Sequence, residues 1–99
     1  MADDKDIEHK LLIAEYYELK EKAEDDAKTR QALLDSLSFE VGLLNGEAPV
    51  NADRIKAMII RLEDADHSMR EMVARAKSVA ALCGKPAITV RDLLSRTTK

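Results

Sequence analysis

Two histidines, one cysteine and one pair of adjacent tyrosines are the side chains best suited to chemistry in this sequence of 99 residues. A zinc site on a helix needs two ligands three or four residues apart, so that both lie on one face. Neither His9 nor His67 has a His or Cys at that spacing. His67 does follow Glu63 and Asp64, a coincidence expected in a chain with 19 acidic residues. No metal is expected, and both histidines read as surface residues. Cys83 falls at the end of a helical pattern, where the helix dipole does not favour a thiolate, and it continues an apolar seam. It reads as a small buried hydrophobe. Tyr16 and Tyr17 are consecutive, so on a helix they point about 100° apart, and one enters a core while the other faces outward. Tyrosine is enriched where partners bind, which makes Tyr16 and Tyr17 candidate contacts, with core filling as the plainer role. Asp66 interrupts an apolar seam between Leu62 and Met69. It is either a buried polar residue that sets register or a carboxylate on a locally open, solvated seam. There is no Gly-rich phosphate loop, no nucleophile motif and no cofactor signature, so no enzyme activity is expected.

The elements that position these residues follow from composition and period. Charged residues make up 35% of the chain and aromatics 3%, with no Trp, three Gly and two Pro, a helix-forming mixture poor in strand formers. The length allows one domain. A lone cysteine excludes an internal disulfide. No apolar run is long enough to span a bilayer, and the acidic start is unlike a signal peptide, so a cytoplasmic protein is expected, with no membrane partner.

Leu12, Tyr16, Leu19 and Ala23 form a helical stripe, and Leu33, Leu34, Leu37, Val41 and Leu44 resume it. Asp3 or Asp4 can cap this helix, and Asn45-Gly46 can end it. The second pattern is cleaner. After the capping candidate Asn51, residues Ile55, Ile59, Leu62, Asp66, Met69, Val73, Ala76, Ala80 and Cys83 recur at steps of four and three. Met58, Ala65, Met72 and Val79 flank them, giving a stripe wide enough for two neighbours. Gly84 and Pro86 stop it. Thr89, Asp92 and the staple pair Ile88 and Leu93 announce a third, short helix.

The predicted fold is all-α: a long antiparallel hairpin of helices at about 4–44 and 52–83 with a short C-terminal helix at about 90–96. A first helix of that length is roughly 60 Å long and exceeds a compact globule of this size. It must therefore break near residues 25–30 or form an elongated hairpin, and the hairpin is favoured. Paired residues then have numbers summing to about 97. Tyr16 and Tyr17 fall beside Ala80 and Ala81, the Ala-only stretch at 23–27 falls near Met69, Met72 and Val73, and Glu21, Glu24 and Asp25 fall opposite Arg70, Arg75 and Lys77. The charge asymmetry fits, since residues 1–28 carry a net −5 and residues 67–99 a net +5. Leu11, Ile13, Leu34, Leu43 and Ile60 lie off these seams. They call for a further partner, and completion of a helical bundle as a homodimer is the simplest supply of one.

The stretch Ala76-Lys77-Ser78-Val79-Ala80-Ala81-Leu82-Cys83-Gly84-Lys85-Pro86-Ala87-Ile88-Thr89-Val90-Arg91-Asp92-Leu93-Leu94 resembles the join between the central and last helices of the histone fold. Similar joins occur in the helical lids of AAA+ ATPases. The resemblance covers about a fifth of the chain. It implies a short helix at 30–44, a compact dimer, and phosphate contacts from Lys85 and Arg91, with Arg96 beside them. Against it, the first loop carries Glu47 and no base, and the net charge is −3.

The function expected from the residues is non-enzymatic protein–protein interaction, as a small adaptor, chaperone or inhibitor of a larger protein partner, with self-association through helix faces. Tyr16, Tyr17, Met58 and Met72 are the candidate contacts, methionine because it adapts to varied surfaces. Nucleic-acid binding is not expected on this reading. The alternatives are a histone-fold-like dimeric nucleic-acid-binding protein, and a small phage or mobile-element regulator that blocks a host protein machine.

Overall fold

The computed structural model describes residues 4–46 and 48–97. Three helices follow in order: α1 (Asp4–Gly42), α2 (Ala52–Cys83) and α3 (Val90–Thr97). The first is unbroken over 39 residues. Its middle holds because Ala23 and Ala27 combine high helix propensity with complete burial, so the stretch that looked weakest is where the helices approach most closely. α1 and α2 pack antiparallel along their lengths, and α3 lies against both, chiefly against α1. The molecule measures 71 × 24 × 15 Å, with a radius of gyration of 18.6 Å. A compact chain of this length would have a radius nearer 13 Å.

Local chemistry sets the boundaries. The Asn51 side chain accepts a hydrogen bond from the Arg54 backbone N–H at 3.1 Å and caps α2. Gly84 takes a left-handed conformation (φ 73°), and the N–H groups of Gly84 and Lys85 both donate to the Ala80 carbonyl. Thr89 Oγ1 accepts from the Asp92 N–H at 3.1 Å and caps α3. α1 ends at Gly42 rather than near residue 44. There the Leu44 N–H bonds three residues back, to Val41, and tightens the chain into the turn. The alternative cap Asp3 and the loop residue Glu47 lie outside the described residues, and Asp4 is already inside the helix.

The core occupies the half of the hairpin away from the turn, termed here the closed half. Tyr16, Leu19, Ala23 and Ala27 of α1 meet Met69, Val73, Ala76 and Ala80 of α2, while Ile88 and Leu93 close the third side. Cys83 is a buried free thiol in the same cluster. No charged or polar residue is buried among the described residues. The short helix at 30–44 required by the histone-like join does not form as a separate element; those residues continue α1 along the length of α2.

The ion pairs differ from the expected set. Arg70 and Arg75 reach Asp66 and Glu71 on their own helix, each at 2.8 Å, and Glu24 meets Arg96 of α3 at 3.7 Å. An arginine on an exposed helix face finds a carboxylate one turn back more readily than one across the seam. The acidic and basic thirds do adjoin, with the Ser68 hydroxyl donating to Asp26 at 2.6 Å.

Candidate interaction surface

The structure separates the four candidate contact residues. Tyr16 is only 2% exposed, and its hydroxyl donates to the Pro86 carbonyl at 2.8 Å, tying α1 to the connector before α3. Its side chain is part of the interior and unavailable to a partner. Tyr17 is 51% exposed; its ring stands edge-on to Tyr16 at 5.1 Å and lies 5.7 Å from the Lys85 ammonium, a cation–π contact. Met72 packs against the core cluster. Met58 is half-buried in the turn half, away from the core.

Asp66 occupies an intermediate position between the two expectations. Its carboxylate is partly covered and accepts from Arg30 Nε of α1 and Arg70 Nε of α2, both at 2.8 Å. These hydrogen bonds, Arg70 first and Arg30 second, hold its carboxyl below the usual carboxylate range, against a smaller opposing effect of burial. Asp66 is therefore a solvent-edge clamp between the helices, placed where the closed half gives way to the turn half.

Beyond that clamp the interior thins. Leu33, Leu34 and Leu37 face Ile55, Met58 and Leu62 across the seam, and all six are only half-buried. Around the turn the apolar side chains are on the outside. Phe39 is 67% exposed, Val50 64% and Ile60 59%, with Val41, Leu43 and Leu44 near them in the chain and also exposed. Of the residues expected to lie off the seams, Leu11, Leu43 and Ile60 are exposed, whereas Ile13 packs against the core and Leu34 is half-buried in the seam, because each falls on the α2- or α3-facing side of α1. Phe39 and Val50 carried no sequence signal beyond being apolar residues off the main period.

A groove of about 590 Å³ runs along one side of this half. Ala32, Leu33 and Ser36 form its α1 wall, and Ala57, Met58 and Arg61 its α2 wall, with Arg54 at the edge. Arg54 pairs with Glu40 at 2.8 Å. Among the described residues no three His, Cys, Asp or Glu side chains converge as a metal site, and His67 is an exposed residue 4.0 Å from Glu71. Among the described residues no helix is long and apolar enough to cross a membrane. What distinguishes the surface is thus its shape and apolarity. No family model, no curated protein and no solved structure matches the chain.

Proposed function

We propose that the chain is a non-enzymatic protein-interaction module, a small adaptor, chaperone or inhibitor of a larger protein, which also self-associates through its helix faces. The observation that carries this reading is the apolar surface of the turn half, where Phe39, Val50 and Ile60 remain exposed on the two-helix hairpin. Apolar side chains concentrated at one end of a monomer mark an interaction site more often than a solvated face. The groove beside them is an open trough along the two helices rather than an enclosed pocket of the kind that holds small substrates.

Solution mass tests the reading directly. Light scattering on the chain is expected to give a mass above one chain at micromolar concentration. Met58→Glu, placed in the groove and clear of the core, is expected to return it to one chain with its helical circular dichroism unchanged. A wild-type chain that stays monomeric, and that binds no apolar dye whose fluorescence Phe39→Glu and Ile60→Glu remove, would overturn the proposal.

A further inference from the structure

We infer that two copies of this chain pack antiparallel through the outward face of α1, the acidic start of each helix lying in the turn-half groove of the other. This rests on the self-association part of the proposed function and names its surface. The face is a stripe of helical steps running from Ile7 and Leu11 through Glu18 and Lys22 to Ala32 and Ser36, every member exposed. It is distinct from the stripe of Tyr16, Leu19, Ala23 and Ala27 that meets α2.

The two ends of this stripe are unlike and complementary. At one end, Ile7 and Leu11 project into solvent with Asp4, Glu8 and Glu15 on the flank nearer α2. At the other, small residues leave the groove, and the charged groups lining it are Arg54 and Arg61, with no carboxylate. Arg54 is already paired to Glu40, whereas Arg61 has no carboxylate partner among the described residues.

A two-fold axis near Glu21 and Lys22 places opposite one another residues of α1 whose numbers sum to about 43. Leu11 of one copy then meets Ala32 of the other, large against small, and Lys22, paired to Glu18 in its own helix, lies within a turn of Glu18 of the other. The same rotation keeps the α2 flank of one copy beside the α2 flank of the other. Asp4 and Glu8 of the second copy therefore approach Arg61, while Lys10 stays on the far flank. Each copy presents one acidic end and one groove, so the association closes at two.

Charge exchange and site-directed cross-linking test the pairing. Asp4→Lys with Glu8→Lys in one chain, and Arg61→Glu in another, are each expected to weaken self-association roughly tenfold or more, with helix content unchanged. An equimolar mixture of the two is expected to dimerise about as well as wild type, because both interfaces of the mixed dimer are complementary. A chain carrying Leu11→Cys and Ala32→Cys is expected to form a doubly disulfide-linked dimer under mild oxidation, and a chain carrying Ala32→Cys alone none. A wild-type mass of one chain overturns self-association and this pairing together. A dimer that ignores the charge reversals, or that links through Ala32→Cys alone, leaves self-association standing and overturns the antiparallel arrangement.

Discussion

Ala23, Ala27 and Ala76, three of the smallest apolar side chains in the hairpin, are wholly screened from solvent, while Phe39, Val50 and Ile60, which are far larger, are mostly exposed. The same two helices carry both sets. In the closed half, α1 and α2 approach over alanines, and Ile88 and Leu93 supply a third wall. In the turn half the seam between Leu33–Leu37 and Ile55–Leu62 has no third wall and stays half-covered. Burial along the seam between α1 and α2 thus follows the presence of a third element rather than the apolarity of the residues. A two-helix hairpin covers each helix on one side only, and the eight residues of α3 extend that cover along half its length.

The contrast is sharpest for deletions at matched positions of the α2 seam. Met69 is fully buried in the cluster that holds Ala23, Ala27 and Leu93 in the closed half, whereas Ile59 of the turn half is partly exposed. Met69→Ala is expected to destabilise the chain by about 3 kcal/mol, the lost transfer energy plus a cavity that alanine neighbours cannot refill. Ile59→Ala is expected to cost about 1 kcal/mol or less, since little burial is lost and alanine is the better helix former. Urea unfolding at low protein concentration checks both. Equal losses would mean that the turn half is as well packed as the closed half.

A smaller effect tests how the third wall is held. The Tyr16 hydroxyl ties α1 to the connector at Pro86, across 70 residues of chain. Tyr16→Phe keeps the ring in the core and removes only this bond. The expected loss is about 1 kcal/mol, with the Pro86 carbonyl free to regain water. Because the bond fixes the connector, the loss should concentrate in α3: amide exchange at Leu93 and Leu94 should accelerate more than at Met69. Uniform acceleration along the chain would show that α3 docks independently of Tyr16.

Much of this architecture could be read from the residues. The three helices, the Asn51, Gly84 and Thr89 caps and the staple of Ile88 against Leu93 all follow from local chemistry that no tertiary contact overrides. The antiparallel register followed from the short turn, and it placed Tyr16 and Ala80 in one core. Periodicity could not distinguish a buried seam from an open one. Ile55, Ile59 and Leu62 keep the same period as Met69, Val73 and Ala76, and only the reach of α3 separates them. Ion pairing was misplaced for a related reason: Arg70 and Arg75 are long enough to choose among several carboxylates, and the register does not restrict them. Of the candidate contacts, the single-chain period could not tell Met72, against the core, from Met58, on the groove.

The boundary between the two halves provides the gentlest test. Asp66 joins α1 to α2 through Arg30 and Arg70 at the point where the closed core ends. Its carboxyl is held below its ordinary value in the folded chain, so the folded state favours the ionised form. The resulting stability is fully present above the unfolded value near 4 and is lost as pH falls through the folded value. The side chain is 30% exposed and both arginines reach solvent, so the contribution is small, about 0.5 kcal/mol. Asp66→Asn keeps the shape and removes the charge. The stability difference between wild type and Asp66→Asn is therefore expected to hold steady near neutral pH and to shrink below about pH 4. Other carboxylates titrate in the same range in both chains, and subtracting the two curves cancels them. A difference that did not change with pH would mean that the two arginines find other partners once Asp66 is gone, and that the junction is held by the packing of Ala65 and Met69 alone.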